Sequence, residues 1–77
     1  SILVFDNEPR NKEIVDRMYK ANGLGYKVCI WPDWIKQKDI NDMILSGLSK
    51  KKIVDTIKEN SYSGIIGLLK LNEWKKI

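Results

Sequence analysis

The stretch Ile2-Leu3-Val4-Phe5-Asp6-Asn7-Glu8-Pro9 decides the reading of this chain. Four apolar residues are too few for a helix and run straight into turn-forming residues, so they read as a short buried strand. Its carboxyl end delivers an Asp and a Glu, and the carboxyl edge is where open α/β sheets hold ligands. A second acidic pair follows about thirty residues later in Lys38-Asp39-Ile40-Asn41-Asp42. Two carboxylates 4 Å apart repel by about 4 kcal/mol at an effective dielectric near 20. A divalent cation between them removes that cost.

Outward from this stretch, Asn11 to about Ala21 reads as an amphipathic helix. Ile14, Val15, Met18 and Tyr19 keep helical spacing, and Lys12, Glu13, Asp16, Arg17 and Lys20 fill the other side. Pro9 suits the start of that helix, and Asn22-Gly23-Leu24-Gly25 supplies a glycine stop. Tyr26 to Trp31 reads as a second buried strand. A helix between two such strands favours a parallel pair, which places Asp6, Glu8, Pro32, Asp33 and Trp34 on one edge. Ile40, Met43, Ile44 and Leu45 then form a short helix stopped at Gly47, and Ser49 caps another whose face is Ile53, Val54 and Ile57. Ser63 to about Lys76 reads as mainly helical, with Gly64 and Gly67 weakening its start.

The chain has 77 residues, enough for one domain, 1–77, with a thin core. With 43% apolar and 31% charged residues it is ordinary globular material. No apolar run approaches the roughly 18 residues that cross a bilayer, and no signal peptide is visible, so a soluble intracellular protein is expected. The chain enters a strand at Ser1 without an initiator Met, which reads as a piece of something longer. Two strands alone make an unstable sheet, so further strands are expected beside them.

Chemistry is narrowed by what the chain lacks. There is no His, and the single Cys29 lies between Val28 and Ile30. His/Cys zinc sites and Ser-His or Cys-His catalysis are therefore excluded within the segment, and oxygen ligands remain. Mg²⁺ takes one or two carboxylates with waters and phosphate oxygens, so Asp6, Glu8, Asp39 and Asp42 are candidate ligands, with Mn²⁺ able to substitute. Arg10, Lys12, Lys36 and Lys38 are candidate phosphate contacts.

Each feature also has an ordinary structural explanation. Asp6 to Pro9 is an adequate turn, and Asp39 an adequate N-cap with Asp42 at the third helical position. Trp31 and Trp34 either stack on bases or pack the core, and Trp74 reads as a helix anchor. The net charge of +4 fits a solvated surface as well as a nucleic-acid partner.

Phe5-Asp6-Asn7-Glu8-Pro9-Arg10 resembles the Asp-x-Asp motif of TOPRIM domains, found in primases, topoisomerases and related nucleases. Lys38-Asp39-Ile40-Asn41-Asp42 resembles the downstream acidic loop of the primase branch, where Lys-Asp-Pro-Asn-Asp is typical. Through Ile30-Trp31-Pro32, Ser63-Gly64 and Asn72-Glu73-Trp74-Lys75-Lys76, nearly the whole chain is similar to the carboxyl-terminal part of DNA primases from large tailed bacteriophages. The resemblance implies a partial TOPRIM-like, Rossmann-like parallel sheet with flanking helices, lacking upstream strands. It implies Mg²⁺-dependent RNA primer synthesis on single-stranded DNA from nucleoside triphosphates, beside a replicative helicase, in the cytoplasm of an infected bacterial host.

Residue by residue, Asp6 and Glu8 match the Asp-x-Asp acids, and Asp39 and Asp42 the second acidic loop. Glu8 stands where the family has Asp, and Ile40 where it has Pro. The family's catalytic Glu lies upstream of Asp-x-Asp and has no counterpart here, so no catalytic residue is expected within the segment and the isolated chain is expected to be inactive. A TOPRIM nuclease or topoisomerase would use the same acids for strand cleavage, but the primase-like Lys38 to Asp42 loop argues against it. A noncatalytic module, docking through Leu68, Leu69, Leu71 and Trp74, is the alternative of a different class.

Overall fold

Alternation along one strand organises the molecule. The computed structural model describes all 77 residues, Ser1–Ile77. Val28 and Ile30 face one side of the sheet and Cys29 and Trp31 the other, and each pair seeds its own core. The elements run β1 (Ile2–Leu3), α1 (Lys12–Gly23), β2 (Lys27–Cys29), α2 (Ile40–Leu45), α3 (Lys50–Glu59), β3 (Ser61–Tyr62) and α4 (Gly64–Trp74). On one side, Val15, Met18 and Ala21 of α1 and Leu71 and Trp74 of α4 pack with Val28 and Ile30. On the other, Met43 of α2 and Ile53 of α3 join Cys29, Trp31 and Ile35. No helix is long and apolar enough to cross a membrane.

The α/β architecture is the expected one, with one difference in the sheet. β1 and β2 are parallel, pairing Ile2 with Lys27 and Leu3 with Val28. A third strand, β3, joins antiparallel on the far side of β2, pairing Tyr62 with Val28 and Ser61 with Cys29. The sheet is therefore mixed, and the stretch between α3 and α4 supplies a strand that periodicity does not reveal.

Local chemistry sets the helix ends. Pro9 does not open α1. It sits in a turn, and Asn11 caps the helix by accepting from the Ile14 N–H at 3.2 Å. Ser49 caps α3 through the Lys52 N–H at 3.1 Å, and Gly47, at φ 106°, takes the left-handed turn that ends α2. The apolar faces are narrower than spacing suggests. Of Ile40, Met43, Ile44 and Leu45 only Met43 is buried, and Val54 points outward while Thr56 takes the buried position on α3. Thr56 can do so because its hydroxyl donates to the Lys52 carbonyl at 2.7 Å.

Two contacts hold α4 in place. Gly67 lies against Asn22 of α1 so closely that an added Cβ would sit 2.1 Å from Asn22 Oδ1, while Asn22 Nδ2 donates to the Gly64 carbonyl at 3.1 Å. Farther along, the Trp74 indole N–H donates to Asn7 Oδ1 at 3.2 Å. Asn7 Nδ2 in turn donates to the carbonyls of Ile35 at 3.0 Å and Gln37 at 3.1 Å, and the Asn7 N–H donates to the Lys38 carbonyl at 2.6 Å. One amide thus joins the end of β1, the loop after β2 and the last turn of α4.

Two predictions follow from these contacts. Asn7→Ala strands three half-buried partners, so it should cost about 2–4 kcal/mol and lower the thermal midpoint by about 10 °C or more. A midpoint within 2 °C or so of wild type would deny Asn7 this role. Gly67→Ala should cost about 1–3 kcal/mol by overpacking Asn22. In an Asn22→Ala background the same change should turn neutral or favourable, since Ala exceeds Gly in a helix by about 1 kcal/mol. Urea titration of the four-member cycle measures the coupling.

Candidate functional site

The parallel pairing of β1 and β2 brings both carboxyl ends to one rim, and three clefts open there. Trp31, the buried residue just beyond β2, lines all three. Its indole N–H donates to the Phe5 carbonyl at 2.9 Å, fixing it against the chain that leaves β1.

The first cleft, of about 300 Å³, gathers Asp6 and Asp39. Phe5, Trp31 and Ile40 supply its apolar wall, and no cation lines it. Asp6 is exposed, and Asp39 half-buried as the N-cap of α2, accepting from the Asp42 N–H at 2.8 Å through Oδ1. The helix-start explanation of Asp39 is thus realised, yet a carboxylate offers about four lone pairs, so capping leaves acceptor capacity toward the cleft.

Glu8 and Asp42 are placed differently. Glu8 turns toward the start of α1, where its Oε2 accepts from Asn11 Nδ2 at 3.5 Å and its carbonyl from the Asn11 N–H at 3.0 Å. Asp42 is exposed in the first turn of α2. Neither lines the cleft of Asp6 and Asp39, and no three Asp, Glu, Cys or His side chains cluster as a metal cage. Cys29 is fully buried, and burial pushes its thiol up to about 12, so it stays protonated and offers no ligand.

The four candidate cations also divide. Arg10 and Lys36 line a second cleft, of about 330 Å³, which shares Trp31 with the first and also holds Asp33 and Glu73. Lys12 lies instead along the exposed face of α1, 2.6 Å from Asp16, whose hydrogen bond and charge hold its ammonium above the usual lysine range. Lys38 is exposed, and its carbonyl takes the Asn7 N–H. Of the tryptophans, Trp31 and Trp74 are core residues, while Trp34 is half exposed under Lys52, whose Nζ lies 5.0 Å from the ring centroid.

Residue patterns pointed to the acids and to Arg10 and Lys36 but missed Asn7, which holds the rim together, and Lys76, which joins Arg10 and Lys36. The available signal for Asn7 was its position between two acids. Lys76 had none, because its approach to residue 10 depends on α4 packing back across the sheet, where the Lys76 N–H donates to the Pro9 carbonyl at 2.9 Å.

No family model matches this chain. It is similar to the DNA primase of Enterobacteria phage T4, with 35% identity over 79 residues that take in 99% of this chain. The chain spans 23% of the length of that primase. Over essentially its whole length, then, the chain is similar to part of a phage DNA primase.

Proposed function

We propose that this chain is the part of a primase catalytic domain that holds Mg²⁺ and nucleotide phosphates during RNA primer synthesis on single-stranded DNA, in a TOPRIM-like arrangement. The observation that carries the reading is the convergence of Asp6 and Asp39, from loops thirty-three positions apart, in one cleft at the carboxyl ends of parallel strands. Similarity to a DNA primase across the chain supports the same reaction class.

Two carboxylates suit Mg²⁺, which keeps several waters and binds substrate phosphates in its remaining positions. When bound, the ion supplies charge that neutralises phosphate oxygens during attack by a ribose 3′-hydroxyl. Asp6 and Asp39 would hold it, and Mn²⁺ would substitute. The apolar wall of Phe5, Trp31 and Ile40 excludes water on one side and strengthens that attraction. Arg10 and Lys36, in the cleft that shares Trp31, meet the outer phosphates of the incoming nucleoside triphosphate. Glu8 and Asp42 flank the cleft and raise its negative potential without lining it. This reading gives the 77 residues a binding role without a catalytic Glu and expects the chain alone to bind without turnover.

A second reading is favoured by one observation. α4 leaves Ile65, Ile66, Leu68 and Leu69 exposed, an outward face suited to a replicative helicase or another subunit of the replication machinery. Deleting residues 63–77 does not test it, because Leu71 and Trp74 belong to the core. Leu68→Ser with Leu69→Ser does, since the fold should survive while helicase binding is lost.

For the metal site, Mn²⁺ titrated into ¹⁵N-labelled chain should broaden the amides around Asp6 and Asp39 first, and excess Mg²⁺ should restore them. Asp6→Asn or Asp39→Asn should weaken Mn²⁺ binding tenfold or more, about 1.4 kcal/mol. In the full-length enzyme Asp6→Asn should abolish primer synthesis with the fold intact. Diffuse broadening, together with wild-type synthesis by Asp6→Asn, would remove the assignment.

A further inference from the structure

We infer that Trp74, on the last turn of α4, is a positioning residue for the Asp6 and Asp39 pair, acting through Asn7, which rests on the Mg²⁺ reading of their cleft. Its ring belongs to the core. Its indole N–H serves the cleft from 67 positions away.

One backbone hydrogen bond lies between the two acids. The Asn7 N–H belongs to the peptide unit that follows Asp6, and the Lys38 carbonyl that accepts from it at 2.6 Å belongs to the unit that precedes Asp39. Each acid is therefore one peptide unit from the same bond. Asp6 is held on both sides, because the Phe5 carbonyl accepts from the Trp31 indole at 2.9 Å and the Asp6 carbonyl from the Glu8 N–H at 2.9 Å. The loop that delivers Asp39 has less support. Through Lys36, Gln37 and Lys38, every hydrogen bond it makes goes to Asn7, and no ion pair joins it.

Asn7 serves that loop in one orientation of its amide only. Nδ2 carries two donors, and Oδ1 only accepts. The donors meet the Ile35 and Gln37 carbonyls, and Oδ1 meets the Trp74 indole N–H. A flipped amide would set oxygen against two carbonyls and donor against donor, losing all three bonds. Trp74 is the one group that donates to Oδ1. Without it the half-buried oxygen is stranded, and the amide regains a partner only by turning toward water, away from the loop. The Lys76 N–H adds a second tie from the end of α4 to this segment by donating to the Pro9 carbonyl at 2.9 Å. The spacing of the two carboxylates, and with it their attraction for a cation, thus depends on the docked end of α4.

The test is Trp74→Phe in the 77-residue chain, with Val15→Ala as a control that thins the same core cluster without touching the network. Amide hydrogen exchange without metal and Mn²⁺ titration are measured where circular dichroism shows the variant folded. In Trp74→Phe the Asn7 N–H should lose about tenfold in protection beyond the loss at Met18 in α1. Mn²⁺ should bind about three- to tenfold more weakly. Val15→Ala should lower protection at the two amides equally and leave Mn²⁺ affinity unchanged. In an Asn7→Ala background, Trp74→Phe should bring no further loss of affinity, whereas a purely structural tryptophan would still cause one. By reciprocity, saturating Mg²⁺ should slow exchange of the Trp74 indole N–H in the wild type by about threefold or more, a measurement that needs no variant. Equal losses of protection at Asn7 and Met18, wild-type affinity in Trp74→Phe, an undiminished effect in the Asn7→Ala background, or an indole N–H indifferent to bound Mg²⁺ would each overturn the inference. A wild-type chain that binds no Mn²⁺ at Asp6 and Asp39 would remove the metal reading alone, and the exchange of the Asn7 N–H would still decide whether Trp74 positions the pair.

Discussion

The side-chain amide of Asn7 is the constraint on which the rim of this protein depends. Its two donors and one acceptor are spent on residues 28, 30 and 67 positions away, and its backbone N–H holds a fourth partner. A net hydrogen bond contributes only about 0.5–1.5 kcal/mol, but a stranded buried partner costs about 1–3. The network therefore matters more for what its loss exposes than for its sum. It fixes the segment carrying Asp6, the loop leading to Asp39 and the helix carrying Glu73 in one frame, and the clefts lie between those three pieces.

Trp31 then joins the clefts within that frame. Asp6 and Asp39 line one cleft, Arg10, Lys36 and Lys76 line another together with Asp33 and Glu73, and Trp31 is common to both. The Asp6 and Asp39 pair and the three cations thus line separate clefts, and no ion pair joins the two sets. A small domain with 15 buried residues can hold such a charged rim because its two cores lie one on each face of β2.

Much of this was legible in the residues, and the exceptions share a cause. The apolar runs at residues 2–5 and 26–31, the amphipathic spacing of α1 and the caps at Asp39 and Ser49 are local signals, and the structure contains their elements. β3 escaped because two residues, one of them Ser, carry no period and are recruited only by β2 alongside. Gly64 and Gly67 read as weakening α4, whereas Gly67 is what allows the helix to approach Asn22. Asn7 sat in a string of turn formers, and a turn former needs no distant partner to justify it. The grouping of Asp6 with Asp39, but not with Glu8 or Asp42, depends on which way each loop leaves its strand, a tertiary fact without a local trace.

The strand that opens the chain has a consequence for its behaviour outside the native state. Ile2-Leu3-Val4-Phe5 is uncharged, rich in β-formers and free of proline, the composition of a segment that stacks against copies of itself. As an edge strand of two residues bonded only to β2, β1 offers a short template in the folded protein. Once unfolded, the segment has Asp6 as its first flanking charge. The carboxylate of the acidic cleft thus also acts as a gatekeeper against self-association, and its neutralisation would leave Glu8 as the nearest charge able to interrupt stacking.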